Sequence, residues 1–447
     1  MSHTLDRIST PDAEFFYAEH HNVPMHIGSV AVFDGPAPTR ADLIRLIEAK
    51  LPRVPRFRQV VQAAPFQVLR PVWSDDQEFA VRHHVRHASV APPGGPEQLQ
   101  VMAARLFALP LDRHRPLWQE WLLDGLEGGR WAIVSKIHPC MADGIGGNDP
   151  VTLVFDTDPD ERVPETAPWV PAPRPSLAEL AADDLRDAVT RPLRQLAEVP
   201  GLFLRAGPED VLDYGRGLGR AALDLAEPSA FFLNGPIGPH RRWTWTTVDL
   251  ADLKRVRAAY GGTINDVVLA VITGAFRDLL AHRGELAYGP VLRSLVPVSV
   301  RRPGEDDVVT NRVSAVLANL PVGEADPVRR LGLIRQEMDQ LKHTHQAVSV
   351  EVLTGMLDLV HGAAPMWLAL GTRAAFGLRQ PLVQTVTTNV PGPRRPLYVL
   401  GRPLTELHPY VPIGDAVRIS VAILSYLDCV SFGITADYES VPDLDVL

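Results

Sequence analysis

From Trp131 to Gly147 the chain reads Trp-Ala-Ile-Val-Ser-Lys-Ile-His-Pro-Cys-Met-Ala-Asp-Gly-Ile-Gly-Gly. Trp131 to His138 is apolar and β-branched enough for a strand with a buried face. The second half turns, because Asp143-Gly144 is a tight-turn pair. A histidine therefore leaves a buried strand, and an aspartate follows five residues later. Histidine titrates near neutrality and is the ordinary general base. On pattern alone, a strand-end histidine followed by a turn describes the same residues.

Working outward, Gly28 to Phe33 reads as a strand stopped by Asp34-Gly35-Pro36. Thr39 and Asp42 cap a helix carrying Leu43, Ile44, Ile47 and Leu51. A helix from Glu97 to Leu109 ends at Pro110. Trp243 to Val248 is strongly β-prone. Asp249 and Gly261 bracket a short helix, and Thr263 with Asp266 caps a longer one whose apolar face runs from Val267 to Leu280. Asp326-Pro327 opens a further helix. Leu292 to Val300, Val383 to Val390, Ile419 to Leu424 and Val430 to Ala436 read as strands. Strands and helices mixed in both halves predict an α/β (α+β) fold in two domains.

The 447 residues are 46% hydrophobic and 22% charged, which excludes a disordered or collagen-like chain and leaves enough for two cores. Proline is in excess, 41 residues, and five lie between Pro164 and Pro175, a stiff, extended connection. Ser176 and Glu179 then open a helix. The expected division is 1–163, a connection 164–239, and 240–447. The net charge of −9 lacks the basic footprint of a nucleic-acid binder. Cys140 and Cys429 make no disulfide framework. The start has no signal core, and no apolar run reaches about 18 residues. The expectation is a cytoplasmic protein that rests on a membrane without spanning it. Gly201 to Leu204 and Met366 to Phe376 are the candidate contacts, each equally explained as core. His20-His21 with His26, and His83-His84 with His87, lack zinc-site spacing, so no metal is expected.

Several blocks carry a resemblance: Leu5-Asp6-Arg7, Pro24 to Gly28, Asp112 to Trp118 with its Pro116-Leu117-Trp118, Thr263 to Val267 with its Asn265-Asp266, Val296 to Arg301, Thr388 to Pro393, Ser425-Tyr426 and Val441 to Asp443. In this order they resemble the bacterial wax ester synthase/diacylglycerol acyltransferase family, within the chloramphenicol-acetyltransferase-like CoA-dependent acyltransferases. The resemblance implies two domains of that type, each a mixed sheet flanked by helices, with a tunnel between them. It implies a long-chain acyl-CoA donor, a fatty alcohol or diacylglycerol acceptor, and no bound cofactor. It also implies an inner-membrane or lipid-droplet surface as the place of work, and it leaves a homo-oligomer open.

The family signature His-His-x-x-x-Asp-Gly covers His138 to Gly144 here. His138, Asp143 and Gly144 match it; Pro139 stands where the family has its general-base histidine. Proline has no ionisable group and no N–H. Neighbouring side chains of an extended segment point to opposite faces, so His138 is expected to point away from the base's place. By resemblance His138 and Asp143 are the catalytic candidates, Asp143 as a loop-orienting residue. Gly144, Asn265, Asp266, Pro116 and Trp118 are the channel or structural supports. Helix capping explains Asn265 and Asp266 as well, and a packing turn explains Pro116 to Trp118. Cys140 reads as a buried thiol. Two functions follow: an O-acyltransferase, or a silent or redirected homologue that binds acyl-CoA or lipid, or that serves a different acceptor in specialised metabolism.

Overall fold

The computed structural model describes residues 5–8, 10–20, 22–62, 71–141, 153–160, 168–183, 232–288, 290–299, 313–343, 383–414 and 416–447. Asp143, Gly144, most of the 164–239 connection and both apolar segments named as membrane contacts lie outside them. After helix α1 (Thr10–Ala18) come β1 (Ile27–Phe33), helix α2 (Arg40–Lys50) and a small ribbon of β2 (Gln59–Gln62) and β3 (Val72–Asp75). Then follow β4 (Val85–Ser89), helix α3 (Pro96–Ala108), β5 (Trp118–Asp124) and β6 (Trp131–Ile137). Thr39 and Asp42 close the expected capping box on α2, as Ser176 and Glu179 do at the start of the next helical turn.

The later half holds β7 (Arg241–Asp249), α4 (Leu250–Tyr260), α5 (Ile264–His282), β8 (Leu292–Ser299), β9 (Val313–Leu320) and α6 (Pro327–His343). It ends with β10 (Thr385–Val390), β11 (Tyr398–Val399), β12 (Arg402–Tyr410), β13 (Ile419–Tyr426) and β14 (Cys429–Asp437). Two six-stranded mixed sheets result, in the orders β11-β12-β1-β6-β5-β4 and β7-β14-β13-β10-β8-β9. The first sheet thus takes β11 and β12 from late in the chain. The mixed α/β class read from the sequence is the observed one.

Side-chain alternation sets the layers. Trp131 and Ile133 of β6 join Phe33, Leu43 and Ile47 on the α2 side. Ala132 and Val134 join Val30, Leu99, Ala103 and Phe107 on the α3 side. That second core also takes in Trp243 of β7 and Tyr410 of β12, so α3 lies between the sheets. In the second half, Val268, Ile272 and Phe276 of α5 and Leu331, Ile334 and Met338 of α6 cover Val296, Val421 and Phe432.

The sheets meet where β12 crosses β7 and β14. The Trp243 indole N–H donates to the Pro409 carbonyl at 3.2 Å, and Trp245 stacks on His408 at 4.3 Å. His408 Nδ1 lies 2.9 Å from Ser431 Oγ. A Cβ on Gly433 would sit 1.8 Å from the Pro409 oxygen, so this crossing requires glycine. The sequence blocks also find one another. Asn389 donates its side-chain N–H to Asn265 Oδ1 at 3.0 Å, and Gly392 donates its N–H to Ser425 Oγ at 3.1 Å.

Candidate active site

Strand β6 delivers His138 into the protein interior, 1% exposed. Its main-chain N–H donates to the Leu117 carbonyl at 2.9 Å, which ties it to the Pro116-Leu117-Trp118 block. A short 3-10 turn, Pro139–Met141, follows, closed by the Met141 N–H on the His138 carbonyl at 3.0 Å. Proline suits the first position of such a turn, where its missing N–H has no partner to lose. The Pro139 ring offers neither donor nor acceptor.

The turn folds Cys140 back onto the imidazole. The Cys140 N–H donates to His138 Nδ1 at 3.2 Å, and Cys140 Sγ lies 2.9 Å from the same nitrogen. Nδ1 is therefore an acceptor and the ring proton belongs on Nε2. Nε2 faces Glu19 Oε2 at 3.8 Å, beyond hydrogen-bond distance. Burial, helped by the charge of Arg113, pushes the His138 pKa down to about 3. Burial likewise holds the Cys140 thiol well above its usual range, so it stays protonated and unreactive. Phe16 of α1 meets the His138 ring edge-on at 6.2 Å, and the Arg113 guanidinium lies over Phe16 at 3.7 Å.

Glu19 accepts the Met25 N–H at 2.9 Å, and burial raises its pKa. Lys136, 1% exposed, donates to the carbonyls of Leu106 (2.8 Å) and Leu109 at the end of α3. Burial first, and the Arg86 charge second, brings its pKa to about 7. Beside it stands His26, fully buried against Tyr410 (5.6 Å, stacked) and Phe107 (6.4 Å). Burial first, with the charges of Lys136 and Arg241, lowers the His26 pKa well below the ordinary value. Arg241 of β7 reaches across the sheets to donate to the Asn22 carbonyl.

The structure brings His138, Pro139 and the Pro116 to Trp118 block together and sets Asn265 and Asp266 apart, at the start of α5. Trp118 is a packing anchor. Its indole N–H donates to the Phe57 carbonyl at 2.8 Å, and His84 stacks on it at 4.4 Å. Asp266 completes the Thr263 capping box, accepting the Thr263 N–H at 2.7 Å. The histidine groups do not converge: His84 is buried, His83 and His87 are exposed, and His87 pairs with Asp124 at 2.8 Å. No group of three metal-ligating side chains occurs among the described residues. Sequence reasoning gave no role to Glu19, Arg113 or Lys136. Lys136 did carry a signal, a lysine inside an apolar strand.

Comparison with known proteins covers nearly all of this arrangement. The wax ester synthase/diacylglycerol acyltransferase catalytic domain matches residues 8–268, and the C-terminal domain of the same family matches residues 309–447. A probable diacylglycerol O-acyltransferase of Mycobacterium tuberculosis is 36% identical over 98% of this chain and 92% of its own. An O-acyltransferase of Acinetobacter baylyi is 30% identical over 98% and 93%. The structure of a wax ester synthase/diacylglycerol acyltransferase from Marinobacter aquaeolei VT8 superposes with a TM-score of 0.68 at 25% identity, over 98% of this chain and 95% of that one. The first condensation domain of the CDA synthetase shares the fold, with a TM-score of 0.55 at 16% identity, over 98% and 92%. With both of its domains matched in order, the chain belongs to the wax ester synthase/diacylglycerol acyltransferase family.

Proposed function

We propose that the protein is an acyl-CoA-dependent O-acyltransferase that transfers a long-chain acyl group to a fatty alcohol or diacylglycerol. The observation that carries this reading is the match to both family domains in order, together with a relative at 36% identity over 98% of the chain. In the reaction the acceptor oxygen bonds to the thioester carbon and the C–S bond breaks. The hydroxyl proton ends on the CoA thiol. A histidine base is typically worth about 10²–10⁴ in rate, or about 3–5 kcal/mol of barrier. Pro139 forgoes that at the family's position, and holding the two substrates together supplies the remainder. His138, neutral and bonded to Cys140, serves as a positioning residue for the turn. No bound cofactor is required, and the donor and acceptor place the protein at a lipid surface on the cytoplasmic side. Among the described residues no helix is long and apolar enough to cross a membrane.

Pro139 favours a second reading, an acyl-CoA or lipid binder without turnover. Thiol release from palmitoyl-CoA with hexadecanol or diacylglycerol separates the two. The acyltransferase reading expects release by the wild type and faster release by Pro139→His. Release by Pro139→His with none from the wild type overturns it, and acyl-CoA binding without release from either variant supports the binder.

A further inference from the structure

Four buried polar side chains at the seam between the sheets keep atoms without hydrogen-bond partners among the described residues. They are His26 (both ring nitrogens), His138 (Nε2), Tyr410 (Oη) and Arg241 (Nε). Their residues are 0%, 1%, 2% and 4% exposed, so solvent does not satisfy them. The Phe107 backbone lies beside His26 without a bond of normal geometry. Buried polar atoms are nearly always bonded, because an orphan keeps the full cost of its lost hydration. Four at one seam imply a polar group that belongs there.

The four residues come from different parts of the fold and converge. The β1–β6 register pairs Ile27 with Ile137 and Gly28 with Lys136, so His26 and His138 follow one step beyond on neighbouring strands. Tyr410 arrives on β12 and Arg241 on β7, from the other half of the chain. The neighbouring polar groups are already engaged: Lys136 by the end of α3, Glu19 by Met25, and His138 Nδ1 by Cys140. What remains is a specific complement. His138 Nε2–H, Tyr410 Oη–H and Arg241 Nε–H are donors, and a neutral His26 has one lone-pair nitrogen. A thioester carbonyl accepts from donors of this kind, and an alcohol donates its proton to such a nitrogen.

We propose that His26 is the proton acceptor of the reaction, replacing the imidazole missing at position 139, with Tyr410 and Arg241 donating to the thioester oxygen. This rests on the O-acyltransferase reading. The acceptor hydroxyl gives its proton to His26 as its oxygen bonds to the thioester carbon. The tetrahedral oxyanion is held by Tyr410 and Arg241, and its collapse breaks the C–S bond. The leaving thiolate takes the proton back from His26, so ester and free CoA thiol are the products.

The test is thiol release from palmitoyl-CoA with hexadecanol for the wild type, His26→Gln and His26→Ala, each also in the Pro139→His background, with acyl-CoA affinity by calorimetry. His26→Gln keeps a planar polar group beside the stacked Phe107–Tyr410 pair, which guards against collapse of the site. The expected result is a loss of about 10²–10⁴-fold in kcat in the wild-type background, with acyl-CoA affinity kept. In the Pro139→His background the expected loss is less than about tenfold, because the histidine at 139 takes the proton. A merely structural His26 would lower affinity and rate alike in both backgrounds, and that result overturns the inference. Robust wild-type release that survives both His26 substitutions overturns it as well, and leaves the acyltransferase reading standing. No release from the wild type overturns the acyltransferase reading and the inference with it.

Discussion

Substituting His138 distinguishes an imidazole that does chemistry from one that holds a turn. Its Nδ1 accepts the Cys140 N–H at 3.2 Å with Sγ at 2.9 Å, and the ring is 1% exposed. With a pKa of about 3, it carries a proton at pH 7 in only about one molecule in 10⁴. His138→Ala removes a buried ring, at about 3–5 kcal/mol by analogy with aromatic truncation. It also orphans the Cys140 N–H, at about 1–3 kcal/mol. His138→Asn keeps an acceptor near the position of Nδ1, so the turn after β6 survives and the loss is smaller. Unfolding by urea together with thiol release is the assay. The alanine variant is expected to lose stability, and the asparagine variant to keep turnover within about tenfold of the wild type. An asparagine variant that folds as well as the wild type yet loses turnover by about 10²-fold or more, the signature of a missing base, would refute the reasoning.

Glu120 of β5 is buried with Ser135 Oγ–H donating to it at 2.6 Å, and burial pushes its pKa up to about 8. It therefore favours folding below pH 4.5 and loses that contribution as pH rises toward 8. Glu120→Gln is expected to raise stability by about 3 kcal/mol at pH 7 and to change little at pH 4.5, read from paired urea midpoints. His138 and His84, lowered by burial to about 3 and about 4, act in the other direction. The unfolded chain binds their protons below pH 6.5, so stability falls from pH 6.5 toward 4 by about 3 kcal/mol for each; a flat midpoint over that range would contradict their burial. Gly433→Ala places a Cβ 1.8 Å from the Pro409 oxygen. The β12–β14 crossing must then open, and the expected loss of more than about 2 kcal/mol is read from the unfolding midpoint of the variant.

The elements were legible because their signals are local. Capping boxes at Thr39 and Thr263, Pro110 beyond α3 and the β-branched runs of β1, β6 and β13 need no partner to be recognised. Strand β12 was not: Arg402 to Tyr410 carries Pro403, Pro409, Glu406 and His408, and it is a strand because β1 and β11 pair with it. Strand β5 hides in the same way, since Gln119 and Glu120 are buried despite their polarity. Their pairing is non-local, and burial of polar groups depends on partners that no window of sequence contains.

By itself the sequence determined the mixed α/β class, the family through its ordered blocks, and the proline at the base position. Those depend on residue identity and spacing. The tertiary structure decided what the neighbours of that proline do. Cys140 occupies the one basic nitrogen of His138. Lys136, the conspicuous charge of the strand, is consumed by the end of α3. His26, which the sequence placed in the Pro24 to Gly28 block without a role of its own, stands at the seam with Tyr410 and Arg241. Residues 26, 138, 241 and 410 meet through strand register and the crossing of two sheets, and that convergence exists only once both sheets have formed.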